Sequence, residues 1–541
     1  MGKTSTLPPP VLGDRLESWK EIGSYLNRDV RTVQRWEQNK GLPVRRLPGG
    51  DMARVYALKS ELDSWWSSRG IHLQEAAHEL APLPSIAVLP FANLSADKEN
   101  EYFSDGLADD IIDALTKVPG LRVIARTSAF AFRGKDADVR EIGAKLKVSS
   151  VLEGSVRKAG NRVRVSAQLI QTADQSHLWS EHYDREMTDV FAIQDEISQA
   201  IVKKLRVQLT SDRPLVKRHT ENLEAYNLFL RGRHCIHRLT PESLAKGKEY
   251  LEQAIALDAN YALAYTGLAE YYWASAFWGF MLGSEAIPLA KAAALAALKL
   301  DDSLAEAHAQ LGVAKGVGDF DWVGAEQEFR RALELNPASP IVHYYYGIHC
   351  LRPMGRVDEE LEEARRVVEL DPLSARYNAN LGFVYEVAGQ HDLAIAQHRR
   401  AIDLDPSMYM PHVLLSGAYM HMGRFEEATA EAQKAWELSG RNARGLGWLA
   451  WVHGKAGRQG EARALLKELT TQGRTTYVPP SVMVGVYWGL REVDQVVKWV
   501  EKAIEEHELM TVCHLKYWQA VDPPLDHPRY QALLRKMNLE D

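Results

Sequence analysis

The phrases ALELNP, VVELDP and AIDLDP end at Pro337, Pro372 and Pro406, 35 and 34 residues apart, and no other feature limits the fold of this chain so strongly. A period of that length accommodates two antiparallel helices with their turns. A unit so small cannot bury its apolar side alone, so successive units must stack into a solenoid. Small residues must then recur where paired helices touch. They do, at Ala269, Gly312, Gly347, Gly382, Ser416 and Ala450 on first helices and at Ala290, Ala325, Ala394, Ala428 and Ala462 on second helices. Gly389, Gly423 and Gly457 fit the turns between them, where left-handed backbone favours glycine. The pattern slips at Glu360 and Val367, where Ala364 is the small residue, and it blurs before Ala245 and after Arg474, so about seven units are expected.

This arrangement resembles the tetratricopeptide family over residues 222–510, leaving 511–541 as a variant end unit. The resemblance implies an all-α solenoid whose first helices line a groove for a protein or peptide partner. Groove-facing positions include Tyr344, Ile348, Phe383, Met410, Val413, Met420 and Trp451, a mainly apolar stripe suited to an apolar segment. Cys350 and His453 stand where a packing aromatic is usual and read as core.

At 541 residues the chain is several times a typical domain, and 46% hydrophobic with 25% charged residues is ordinary for a globular protein. A formal charge of −7 argues against coating nucleic acid along the whole chain, so any such contact must be local. Cys235, Cys350 and Cys513 share no metal-ligand spacing and are odd in number, which argues against a disulfide framework or zinc site and for a reducing cytosol. The start MGKTSTLPPPVLGD lacks the apolar run of a signal peptide, and an uncharged run such as 271–284 is 14 residues where a membrane span needs about 20. A cytoplasmic protein without membrane contact is expected.

Near the start, LESWKEIGSYLNRDVRTVQRWEQN places Leu16, Trp19, Ile22 and Leu26 at helical spacing, breaks at residues 27–29, and resumes with Val30, Val33 and Trp36. That is helix, tight turn, helix. The second helix leaves Arg31, Thr32, Gln34 and Arg35 off its apolar face, and these are side chains able to pair with base edges. Residues 44–47 and 54–57 flank Pro48, Gly49 and Gly50 and read as a hairpin carrying Arg45, Arg46 and Arg54. Between residues 28 and 59, eight Lys or Arg stand against three acids, a local charge of +5. The order TVQRWEQNKGLPVRR…RVYALKSELDSWW resembles the winged helix-turn-helix of the MerR and excisionase type over residues 14–68. The resemblance implies DNA contacts at Arg31, Thr32, Gln34, Arg35, Arg45 and Arg46, with Tyr56 and Leu58 in the core. Trp65 and Trp66 read as packing residues.

From Ser85 the pattern changes to strands and helices in alternation: SIAVLPF, a helix over 101–118, LRVIAR, a helix over 139–146, a hairpin around Ala159, Gly160 and Asn161, HLWSEHYDRE, and a closing helix. In the hairpin Val163, Val165 and Ala167 face away from Arg162, Arg164 and Ser166. Nearly all of residues 84–205 resembles the amino-terminal domain of TolB-like proteins, which implies no catalytic role. Asp105, Asp109 and Asp113 fall four apart, which would permit a metal ridge, but no His joins the row, so the expectation is an exposed acidic face near a helix start. Glu181, His182 and Asp184 lie on a strand whose alternation separates neighbours, and no phosphate loop, His-Glu-x-x-His or Gly-x-Ser-x-Gly occurs.

The expected architecture is multidomain: a small winged helix-turn-helix (14–68), a linker (69–83), a compact α/β domain (84–210), a linker (211–221), then the all-α tetratricopeptide solenoid. The expected function is a DNA-binding transcription regulator whose partners are double-stranded DNA and a protein or peptide in the groove. No cofactor, metal or catalytic residue is expected, and homo-oligomerisation is left open. The alternative is a tetratricopeptide scaffold in signalling that binds no DNA.

Overall fold

Each repeat proline stops a helix. The residue before a proline is driven out of the α region, and Asn336, Asp371 and Asp405 close the helices Trp322–Leu335, Val357–Leu370 and His391–Leu404 with φ of −143°, −137° and −144°. Gly389, Gly423 and Gly457 hold φ of +73°, +71° and +82° in the turns inside hairpins, the conformation for which glycine was expected. The computed structural model describes residues 15–16, 18–25, 33, 37, 42–46, 55–62, 65, 83–97, 100–135, 137–207, 214–521 and 527–540. It divides into two compact units, Met1–Leu83 and Pro84–Asp541.

In the first unit, β1 (Arg15–Leu16), β2 (Arg45–Arg46) and β3 (Val55–Leu58) form an antiparallel sheet in the order β1-β3-β2, beside the helix Trp19–Tyr25. Leu16 therefore belongs to a strand and not to the helix its spacing suggested. Leu16, Ile22, Val33, Leu42, Val55, Ala57 and Leu62 make the core, with Trp19, Val44 and Trp65 packed against it. The strand alternation puts Val55 and Ala57 inside, so Tyr56 and Leu58, expected in the core, are only half-buried, and Arg15 lies 4.1 Å over the Tyr56 ring.

The second unit begins with a mixed sheet of β4 (Ser85–Val88), β5 (Ala92–Asn93), β6 (Arg122–Val123), β7 (Ser150–Ala159), β8 (Arg162–Gln171) and β9 (His177–Glu186). Its order is β6-β4-β7-β8-β9, with β5 beside β7; β4 runs parallel to β6 and β7, and β7, β8 and β9 are antiparallel. Period-two alternation separates its faces. Ile86, Val88, Leu152, Val163 and Val165 share a core with the helices Glu101–Thr116 and Val190–Lys204, while Ala87 and Val151 pack with Ala129, Ile142 and Leu146 on the other side.

Eight antiparallel helix pairs follow, from Leu223–Ile236 with Pro241–Leu257 to Pro480–Gly489 with Val493–Glu505. The array thus extends through both stretches where the repeat pattern blurs. All eleven small residues of the pattern are buried. The slip at Glu360 has a cause: its carboxylate is buried against the Arg352 guanidinium, with Nε at 2.8 Å, so a charged side chain stands where a small one is usual. Two first helices widen into π turns, Ala314–Gly318 and Gly347–Leu351. His453 is half-buried, not fully core, and accepts from Arg458 Nε at 2.9 Å.

The described part of the end unit expected over 511–541 lies in the helices Leu509–Val521 and Pro528–Lys536. The helix Leu509–Val521 returns into the array, where Cys513 meets His349 Nδ1 at 3.3 Å, and Trp322 Nε1 donates to Met537 O at 2.7 Å. Trp273 Nε1 donates to His349 Nε2 at 3.0 Å, so the buried, neutral ring carries its proton on Nδ1 and donates it to the sulfur.

The α/β layer is docked on the solenoid. Ala125 N donates to Leu370 O at 2.9 Å, Ser128 N to Asp371 Oδ1 at 2.8 Å, and Asn336 Nδ2 to Thr116 Oγ1 at 3.3 Å. A side chain on Gly106 would stand 2.6 Å from Leu230, so the helices Glu101–Thr116 and Leu223–Ile236 meet backbone to side chain. Here the expected exposed acidic face is overturned: Asp105 and Asp109 are buried. Arg126 Nε reaches Asp109 at 3.1 Å, Arg233 Nη2 reaches it at 3.2 Å, and Arg133 pairs with Asp105. Burial alone would raise the Asp105 carboxyl, but the His234 ring, 3.7 Å away, and the Arg133 guanidinium hold it below the usual carboxylate range. Asp113 remains half exposed, 3.8 Å from Arg233.

Candidate functional site

Two regions hold the residues singled out by sequence. In the first unit, pairing places Arg45 opposite Tyr56 and Arg46 opposite Val55, on the strand that closes the small sheet. Both guanidinium groups are more than half exposed, at 52% and 56% of the side chain. Each has an acid nearby: Arg45 Nη2 lies 2.6 Å from Glu61, and Arg46 Nη2 lies 3.0 Å from Glu37. Such exposed pairs are weak enough for a phosphate to replace the carboxylate. Arg31, Thr32, Gln34 and Arg35 lie outside the described residues. Val33, between them in sequence, is fully buried.

In the solenoid, a cavity of about 230 Å³ opens between the helices Ala375–Val387, Tyr409–His421, Ala443–Lys455 and Pro480–Gly489 and the return helix Leu509–Val521. Phe383, Met410, Val413 and Trp451, four of the seven expected groove positions, line it together with Arg444, Trp448, Trp488 and Tyr517. The other three are placed elsewhere. Tyr344 is buried 5.0 Å from the Tyr377 ring, with Arg376 Nε donating to its hydroxyl at 3.2 Å. Ile348 is buried in a π turn, and Met420 packs with Leu415, Ala418 and Leu449. Helical spacing marks which side a residue faces, but it does not tell an open groove from one filled by a later segment. Around Phe383 that filling is direct, with Tyr517 at 4.8 Å, His514 at 5.3 Å and the Arg352 guanidinium 4.5 Å from its ring.

One carboxylate lines the cavity among the described residues. Glu386 Oε1 accepts from His421 Nδ1 at 2.7 Å and from Tyr517 Oη at 3.4 Å. Burial would raise this carboxyl, but its histidine neighbours hold it below the usual range. Arg444, Trp448 and Trp488 were not singled out by sequence, although the Arg444, Trp448, Trp451 spacing of i, i+4, i+7 was legible as one helix face.

In the α/β layer, Glu181, His182 and Asp184 are drawn apart. Arg162 and Arg164 each reach Asp184 at 2.6 Å, Ser166 Oγ lies 2.8 Å from His182 Nδ1, and Glu181 accepts from Trp179 Nε1 at 3.2 Å.

A family model matches this α/β layer. Residues 83–200 match the HilA/YgeH-like transcriptional regulator, second domain. The chain is 44% identical over 197 residues to "Putative adenylate cyclase 3" of Rhizobium meliloti, covering 36% of this chain and 34% of that protein. It is 25% identical over 306 residues to "Transcriptional regulator HilA" of Salmonella typhimurium, covering 54% and 53%. The chain therefore spans about a third and about half of these relatives' lengths. Among solved structures, Pseudomonas aeruginosa PilF matches 40% of this chain and 93% of its own at 21% identity and a TM-score of 0.31. Human IFIT1 matches 61% and 78% at 14% identity and 0.41.

Proposed function

We propose that this chain is a DNA-binding transcription regulator whose first unit is a MerR/excisionase-like winged helix-turn-helix. The observation that carries the reading is the pairing of a small basic unit, with Arg45 and Arg46 exposed on its hairpin, to a following domain that matches the second domain of HilA/YgeH-like regulators. Arg31, Thr32, Gln34 and Arg35 would read base edges, and the hairpin arginines would hold phosphates. The TolB-like layer, docked on the array, would carry any change in the array toward the DNA-binding unit. The array would be the input side, taking a protein or peptide partner whose apolar groups enter near Phe383, Met410, Val413 and Trp451, where the return helix leaves a cavity.

No catalytic step enters this reading, and it places the protein in the bacterial cytoplasm with the DNA. Mapping of DNA crosslinked to the full chain in cells tests it. Enrichment of discrete sites sharing a sequence is expected. An even distribution, lost together with protein-protein crosslinks, would favour the scaffold alternative.

A further inference from the structure

The solenoid cavity is partly open and small. At about 230 Å³ it exceeds the roughly 150 Å³ that lets an apolar pocket take up benzene and falls short of the about 300 Å³ at which drug-sized pockets begin. A helix about 10 Å across does not fit. A molecule of one or two rings, or an acyl chain of the same bulk, does.

Its walls define the chemistry. Arg444, Trp448 and Trp451 line one face of the helix Ala443–Lys455, and the two indoles stand 4.5 Å apart between ring centroids, tilted by 41°. Trp488 and Val413 add apolar walls from neighbouring helices. The sign of the ligand follows from which lining charges are already matched. Glu386 is buried and engaged by His421 and Tyr517, so an incoming amine would have to displace a histidine at 2.7 Å. Arg444 has no hydrogen-bond or ion-pair partner among the described residues. Its planar guanidinium suits a carboxylate, which it can hold through two parallel hydrogen bonds.

We infer that this cavity binds a small apolar carboxylic acid, with its hydrocarbon body against Trp448 and Trp451 and its carboxylate on Arg444. The inference rests on the reading of the array as the input side of the molecule. The return helix supplies Met510, His514 and Tyr517 to the same cavity, so the occupant touches the segment that ties the end of the array to its middle.

The full chain is titrated calorimetrically at pH 7.5 with naphthalene-2-carboxylate and with octanoate, each compared with its uncharged amide. At least one acid should bind about tenfold or more tightly than its amide, and whichever acid does so distinguishes a ring from a chain. Arg444→Gln should bring the acid down to the affinity of the amide, Arg444→Lys should keep most of the preference, and Trp451→Ala should weaken acid and amide alike. Equal affinity for acid and amide, failure of both acids at millimolar concentration, or a preference that survives Arg444→Gln overturns the inference. The comparison of acid with amide on the unaltered chain decides the matter even if a variant does not fold. DNA binding is measured on the same preparation: a chain that takes the acid but no DNA contradicts the regulator reading and leaves the cavity site standing, and the reverse pattern contradicts only the site.

Discussion

Asp109 and Asp113 stand one helical turn apart, yet their environments differ enough to give opposite expectations. The Asp109 side chain is 9% exposed and faces both Arg126 and Arg233, whereas the Asp113 side chain is 52% exposed. Removing one member of a buried ion pair leaves the other charge without compensation and costs about 3 kcal/mol or more, while an exposed pair contributes under about 1 kcal/mol. Asp109→Asn should therefore lower the urea midpoint of the chain clearly and Asp113→Asn hardly at all. Equal small effects would mean that the guanidinium groups find other partners. His349 gives a second test. Burial, with the Arg352 and Arg376 charges, pushes its pKa down from 6.5 to about 3. The unfolded chain binds that proton at higher pH, so the stability from the neutral ring is complete above about pH 6.5 and is lost as pH falls toward 3, by up to about 1.4 kcal/mol per pH unit. His349→Gln should flatten the fall in urea midpoint between pH 6.5 and 5; an unchanged slope would contradict this.

Among elements, the turn after the helix Val357–Leu370 shows one repeat feature reused. In other repeats the residue at this position bonds within its own turn: Asp405 Oδ1 accepts from Ser407 N at 3.0 Å, and Asp301 Oδ1 from Ser303 N at 3.1 Å. Asp371 instead takes Ser128 N and Oγ from the α/β layer, and Ser128 Oγ accepts from Leu373 N at 2.8 Å. Burial raises the Asp371 carboxyl from 3.8 to about 6. For an acid raised in this way, the contribution to stability is complete below about pH 3.8 and is lost as pH rises through about 6. Asp371→Asn keeps an acceptor for Ser128 and removes the ionisation. The variant should match or exceed the parent in urea midpoint at pH 7.5, with the advantage gone near pH 4; a deficit at pH 7.5 would mean that the charge itself holds the docking.

The elements themselves were largely legible from sequence because their signals are local: prolines that end helices, glycines with positive φ, and strict alternation in β8. The strands β4, β7, β8 and β9 and the helices around them lie where the alternation put them. What was not legible depends on distant partners. Nothing near Asp105 or Asp109 in sequence announces Arg126, Arg133 and Arg233, which come from two other helices and a turn. Likewise the contact of Cys513 with His349 spans 164 residues, and the helix that makes it also sets His514 and Tyr517 against the expected groove position Phe383.

For the whole molecule, the return of the helices Leu509–Val521 and Pro528–Lys536 into the array means that the solenoid does not behave as a row of independent repeats. Tyr530 is fully buried with its hydroxyl donating to Leu515 O at 2.9 Å, and Cys513, Leu515 and Met537 share one core with Trp273, Val317 and Tyr345. Removing residues 509–541 should uncover that apolar surface, bind a hydrophobic dye and broaden thermal unfolding. A truncated chain that melts as sharply as the parent without binding dye would show the return helix to be dispensable. The account's central claim, that the first unit holds DNA, is tested most directly by fluorescence anisotropy of the full chain on duplex DNA over a range of salt. Affinity should fall linearly on logarithmic axes with a slope of about −0.9 for each phosphate neutralised, and changing Arg45 and Arg46 together to Ala should reduce that slope by about 2. No binding at low salt, or a slope unchanged by the double substitution, would contradict it.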